Sequence, residues 1–225
     1  MKVDTLIVGF GIAGLSYAEQ LRRRNKSYVV VAPDEESASH LAAGIVNPTV
    51  LKRFNPVWKA PVFLDYAFSF YSDLEQWVQT NVVHLLPIYR IFNNVQEQND
   101  WTVAASRTSL EKYLNKQLIS KDYFSEVNAP FLMGEVIQSA RVDIRTLLTH
   151  YINKIIPHQL LSEKIDHNNI ILGEFIEYKN IKARRIVFCQ GFHGLSNPYF
   201  NYLPLIGSKG EILTIKCEQL TEEVI

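Results

Sequence analysis

A strand, a glycine turn, a helix and a second strand follow one another at the start of the sequence, and this succession constrains the fold more than anything after it. Val3 to Val8 is a short apolar run of the kind a buried parallel strand needs, and it leads directly into Gly9-Phe10-Gly11-Ile12-Ala13-Gly14. Leu15 to Arg24 reads as helix, and Tyr28 to Ala32 is a second apolar run. Within about 30 residues this is the pattern of a dinucleotide-binding unit. A bare G-x-G-x-x-G recurs by chance; here the flanking periods support it. Gly9 permits a tight turn, Gly11 lets the backbone approach a pyrophosphate, and Gly14 lets the helix pack close to the strand, with Ala18 keeping the same face small. Ile12 and Ala13 open the helix, where free N–H groups face the phosphates. The acidic residue that usually ends the second strand and holds the adenosine ribose is absent. Ala32-Pro33 stands there, so either Asp34 or Glu35 reaches back, or backbone and water hold the ribose.

The chain of 225 residues, 47% hydrophobic and 20% charged, suits one large domain or two interleaved smaller ones with a real core. Lys plus Arg equals Asp plus Glu at 23 each, so no long-range attraction to nucleic acid or anionic lipid is expected. Cys189 and Cys217 sit in apolar, strand-like runs, where cysteine is usually a small buried hydrophobe rather than half of a disulfide. Three glycines interrupt the apolar opening, which argues against a signal peptide, and no stretch is long and apolar enough to span a membrane. These features lead us to expect a cytoplasmic protein with no membrane partner.

After the second strand, residues 34–48 are dominated by small side chains and read as a loop ending in a turn, in which Ala42-Ala43-Gly44 makes a surface that a flat ring or phosphate can approach. Asp4 to Gly9 through Ala18, followed by Ser39-His40-Leu41-Ala42-Ala43-Gly44-Ile45-Val46-Asn47-Pro48, resembles the FAD-dependent oxidoreductases of the D-amino-acid oxidase and glycine oxidase family. The resemblance implies that Ser39, Ala43, Gly44 and Ile45 lie against the cofactor, and it disfavours a nicotinamide enzyme.

Residues 49–61 read as a connecting loop. Phe63, Ala67, Phe70, Leu74, Trp77 and Val78 recur at helical spacing, and Leu64, Phe68 and Tyr71 widen the stripe to that of a helix buried on more than one side. Val82 to Phe92 is β-rich with Pro87 at an edge or bulge, Asn93 to Ser106 is turn-like at first, and Leu110 to Leu118 could form a short helix. His84 stands alone and reads as structural; no nucleophile–base or metal spacing is present between 60 and 130. Gly134 to Val142 is β-like, where the cofactor fold resumes, and Asp143 precedes a helix ended by Pro157. Gln159 to Ile165 gives a strand and Ile170 to Tyr178 a hairpin around Gly173-Glu174. Arg185 to Gly191 reads as a fully buried parallel strand whose end meets the ligand. The resemblance further implies a backbone contact from Ser162 to adenine, an approach of Gly191 to the cofactor, and a strand at Lys209-Gly210-Glu211-Ile212-Leu213 entering the substrate domain.

The expected fold is α/β: a Rossmann-like, three-layer FAD-binding domain from residues 1–55 and 134–200, with a mixed α+β cap from 56–133 and 201–225. In the resembled family the polypeptide continues for about another third, which carries the carboxylate-binding arginine and much of the flavin wall. No catalytic side chain is therefore carried over. The expected activity is oxidation of a C–N bond of a small amine or amino acid by hydride transfer to flavin N5. Alternatives are an incomplete nucleotide-binding fragment, or an oxidase domain acting on modified tRNA, against which the neutral charge speaks mildly.

Overall fold

The computed structural model describes residues 1–124, 127–213, 216, 218 and 225; Cys217 lies outside them. The chain divides into two compact units, Met1–Ala42 with Ile144–Ile212, and Ala43–Asp143 with Leu213–Ile225.

The first unit is built on one sheet. Strands β1 (Lys2–Val8) and β2 (Tyr28–Ala32) flank helix α1 (Ile12–Arg23), and a single helical turn, α2 (Ala38–Leu41), follows where a loop was expected. The unit continues through helix α5 (Ile144–Ile155), β10 (Leu160–Ser162), β11 (Ile170–Ile171), β12 (Ile176–Tyr178) and β13 (Ile181–Phe188). The strand order is β10-β2-β1-β13-β12-β11. Its first four strands are mutually parallel, and β12 and β11 add an antiparallel hairpin. This is the α/β class the opening pattern implies. All five residues of β2 are buried, as the apolar run requires. Strand β13 departs from expectation: it begins four residues earlier, continuing the hairpin, and Ile181 and Ala183 are buried while Lys182 and Arg184 are exposed. Period-two alternation marks a strand covered on one face, so β13 is not fully buried. A second core of this sheet gathers Val3, Leu6, Val8, Val29, Val31, Tyr178 and Ile181. Residues 204–213 form no strand, so the one expected at Lys209–Leu213 is absent.

The second unit holds β3 (Ile45–Val46), the hairpin β4 (Thr49–Val50) and β5 (Asn55–Pro56), helix α3 (Ala60–Val78), β6 (Val83–Leu85), β7 (Ile88–Ile91), α4 (Val95–Ala105), β8 (Met133–Val136) and β9 (Ala140–Val142). Pro87 separates β6, which pairs with β9, from β7, which pairs with β8. A residue without an N–H is suited to that change of partner. Helix α3 is buried along one stripe only: Leu64, Phe70, Leu74 and Val78 point inward, whereas Phe63, Tyr66 and Trp77 are exposed. The region expected to be turn-like contains α4, which Asn94 starts by accepting from the Glu97 N–H at 2.8 Å. Leu110 to Leu114, expected as helix, is a series of turns. Trp101 anchors the core of this unit with Phe92, Leu110, Tyr113 and Leu114.

Candidate functional site

The strand ends of the first unit place the glycine motif. Beyond Val8, Gly9 turns the chain with φ +94°, in the region that favours glycine. Its N–H donates to the Val31 carbonyl at 2.8 Å, and a Cβ at this position would overlap the Cys189 carbonyl. Gly9 thus sits where the carboxyl ends of β1, β2 and β13 converge. A Cβ on Gly14 would overlap the Gly9 carbonyl oxygen, so the first turn of α1 rests directly on that turn. These are the tight turn and the close helix packing required of the two glycines.

At the helix start, the Leu15 N–H donates to the Gly11 carbonyl at 2.9 Å. The amides of Ile12, Ala13 and Gly14 precede any intrahelical acceptor. Ser39 Oγ accepts from the Ile12 N–H at 3.1 Å. A Cβ on Gly11 would lie 2.7 Å from that same oxygen and 3.6 Å from Ser37 Oγ. The missing side chain of Gly11 therefore makes room for a hydroxyl as well as for backbone approach. Ser39 is held by α2: His40 Nδ1 accepts from the Ser37 N–H at 3.1 Å and lies 2.9 Å from Ser37 Oγ. An N–H donor requires the lone pair on Nδ1, which puts the neutral ring's proton on Nε2. Arg145 of α5 donates to the Glu36 carboxylate, and this hydrogen bond holds Glu36 below the ordinary carboxylate value.

The same sheet edge continues into β10. Ser162 is exposed and in register with Ala32, and the Glu163 N–H donates to the Ala32 carbonyl at 3.0 Å. Pro33 follows, half-buried, while Asp34 and Glu35 are exposed. Sequence reasoning missed Glu163, a carboxylate beside the end of β2. Its oxygens accept from Lys179 Nζ at 2.5 Å and Tyr178 OH at 2.9 Å, and the Lys179 hydrogen bond keeps it below the usual range. Only the strand register could have found it. On the other side of β1, Gly191 follows β13 with φ +53°, and no atom lies within 4 Å of where its Cβ would be. Cys189 between them is half-buried, and burial pushes its thiol up.

Gly9, Gly11, Ile12, Ala13, Gly14, Ala32, Pro33, Ser39, Ser162 and Gly191 are thus gathered at the carboxyl edge of one parallel sheet. Ala43, Gly44 and Ile45 belong to the second unit. There Gly44 has φ +72°, its carbonyl accepts from the Val142 N–H at 2.9 Å, and a Cβ would overlap the Val142 carbonyl. Its small size is thus required by the pairing of β3 with β9. Ala43 and Ile45 are exposed. Among the described residues no His, Cys, Asp and Glu cluster could hold a metal.

No protein-family profile matches the chain. Solved structures do match it in fold. Glycine oxidase from Geobacillus kaustophilus aligns with a TM-score of 0.62 at 12% identity, over 84% of this chain and 55% of that one. Iminodiacetate oxidase from Chelativorans sp. BNC1 aligns with a TM-score of 0.63 at 16% identity, over 82% and 54%. L-α-Glycerophosphate oxidase from Mycoplasma pneumoniae, solved with FAD bound, aligns with a TM-score of 0.50 at 16% identity, over 83% and 53%. The fold is the one these oxidases share, and the chain spans about half the length of the solved chains it matches. Among the described residues no helix is long and apolar enough to cross a membrane.

Proposed function

We propose that the first unit holds FAD and that the chain serves an oxidoreductase acting on a C–N bond of a small amine or amino acid. The observation that carries this reading is the convergence of Gly9, Gly11, Gly14, Ala32, Ser162 and Gly191 at the carboxyl edge of β10-β2-β1-β13, around the start of α1. In open parallel sheets, ligands bind outside the carboxyl strand ends where the order reverses, here at β1 between β2 and β13.

The residues present fit a dinucleotide. The amides of Ala13 and Gly14 face out of the first turn of α1, and the helix dipole favours an anion there. Ser39 accepts from Ile12 and retains its own proton to donate to a phosphate oxygen. Ala32, Pro33 and Ser162 offer small side chains and backbone to the adenosine end, and Gly191 leaves its backbone open toward the ring end. When bound, the flavin supplies the hydride acceptor. The chain's residues bind it, orient it and exclude water, so the proposal requires no acid–base pair from them. Two of the structural neighbours act, by their names, on glycine and iminodiacetate, both carboxylate-bearing amines.

Gly11→Val tests the reading. A branched side chain at Gly11 displaces Ser39 from the Ile12 amide and covers the helix start. The variant is expected to lose FAD while keeping its circular dichroism spectrum. A Gly11→Val protein that held stoichiometric FAD would show that the pyrophosphate lies elsewhere.

A further inference from the structure

The turn that carries Ser39 is closed by a histidine. Helix α2 is a single turn, too short to be held by its own backbone hydrogen bonds. His40, three residues on from Ser37, returns a hydrogen bond to the Ser37 N–H, a place usually held by glutamate or glutamine. Nδ1 accepts there at 3.1 Å, and the Ser37 hydroxyl lies 2.9 Å from the same nitrogen. Both serines of the turn border Gly11: a Cβ on that glycine would lie 2.7 Å from Ser39 Oγ and 3.6 Å from Ser37 Oγ. The imidazole thus fixes the turn whose Ser39 reaches the Ile12 N–H.

Histidine differs from glutamine in this place because its charge changes between about pH 5 and 8. A backbone N–H needs the lone pair on Nδ1, and a proton taken up by the neutral ring goes to that nitrogen, since Nε2 already carries one. The Ser37 N–H then faces a donor, and the imidazolium has only the Ser37 hydroxyl to turn to. Among the described residues the ring's hydrogen bonds go to Ser37 alone. The charged groups around the turn are Asp34, Glu35 and Glu36, which precede it and are exposed, and Arg145 of α5, the helix packed against α2. Glu36 is bonded to Arg145 and lies in the field of His40. Asp143 stands just ahead of α5, and His150 and Lys154 lie farther along it.

We propose that His40 is a positioning residue for the cofactor: its neutral ring latches the turn that holds Ser39 at the Ile12 amide, and protonation opens the latch, so that FAD is held less tightly in mild acid. This rests on the flavoenzyme reading and adds a regulation to the same site. Cofactor binding and proton release are then coupled, and bound FAD in turn keeps His40 neutral. A purely electrostatic role has the opposite sign, because an imidazolium near a pyrophosphate strengthens binding as pH falls. The direction of the pH dependence separates the two.

The test is the FAD dissociation constant, read from flavin fluorescence at about pH 7.5 and about pH 5.5 and constant ionic strength, for the wild type, His40→Gln and His40→Ala. Proton–nitrogen correlation spectra of the cofactor-free proteins are recorded over the same range. The wild-type constant is expected to rise about fivefold to tenfold between the two conditions. Glutamine keeps the reciprocal cap and does not titrate, so His40→Gln should bind like the wild type at the higher pH and change little at the lower. His40→Ala should be weak at both. In the spectra the Ser37 and Ile12 amides should shift together as the wild type is acidified, and stay in place in His40→Gln. Equal pH dependence in the wild type and His40→Gln, tighter binding in acid, a His40→Gln protein as weak as His40→Ala, or an Ile12 amide that does not follow Ser37 overturns the proposal. A wild type that takes up no FAD at either pH counts against the flavoenzyme reading, and the two amides still decide the latch.

Discussion

Replacing Glu19 by alanine tests how α1 is held in place. Glu19 is fully buried on that helix, and its carboxylate accepts from Arg22 Nε at 2.7 Å and Nη2 at 2.8 Å, from Arg23 Nε at 2.8 Å, and from the Tyr151 hydroxyl of α5 at 3.0 Å. Removing one partner of a buried charge pair costs about 3–5 kcal/mol when the other is left dry. Here the Arg22 and Arg23 side chains are 25% and 32% exposed and regain water, so each contributes about 0.5–1 kcal/mol. The Tyr151 hydroxyl is buried and loses an acceptor, adding about 1–3 kcal/mol. The expected loss is about 2–5 kcal/mol, read as a lower urea midpoint at pH 7 with unchanged slope. Burial works to raise the Glu19 carboxyl, but hydrogen bonds from Arg22, Arg23 and Tyr151 outweigh it and leave the group below its ordinary 4.5. Its stabilisation is therefore complete above that value and is lost as pH falls through the lower folded value. The gap between wild type and Glu19→Gln should be constant near pH 7 and close below about pH 4.5. A Glu19→Ala protein within about 0.5 kcal/mol of wild type would refute the reasoning, because the network would then be worth no more than a surface pair.

Two further predictions concern packing. A Cβ on Gly134 of β8 would enter the Trp101 indole, 2.7 Å from Cζ2, so Gly134→Ala should cost about 1–3 kcal/mol and shift tryptophan emission; unchanged stability would mean the ring has room to move. Because burial pushes the Cys189 thiol up, disulfide reagents at pH 8 should react with it more slowly than with glutathione. Faster reaction would contradict its half-buried placement.

The opening strand, glycine turn, helix and strand could be read from sequence because each level agrees: apolar runs at strand length, glycines at the contacts that exclude a Cβ, and a helix of matching period. Helix α5 was legible for the same reason, its Leu147, Leu148 and Tyr151 all buried on one face. What was missed depended on partners distant in the chain. Helix α4 carries a weak apolar pattern, and its start lies in Asn94-x-x-Glu97, an N-cap signal easily passed over in a polar stretch. The aromatic breadth of α3 suggested burial on several sides, yet exposure of Phe63, Tyr66 and Trp77 depends on what packs there, which periodicity cannot state. Gly44 shows a related limit. Its small size suggested room for a ring, but the Val142 carbonyl already demands glycine. At the candidate site, Gly9, Gly11 and Gly14 were legible; Glu163 and the α2 turn that carries Ser39 became visible only through strand register and hydrogen bonding.

The most direct test of the central claim is the visible absorption spectrum of the purified protein after incubation with FAD and removal of the excess. Bands near about 370 and about 450 nm, with close to one FAD released on heating per chain and none retained by Gly11→Val, are the expected result. A colourless wild-type protein that gains no flavin would contradict it.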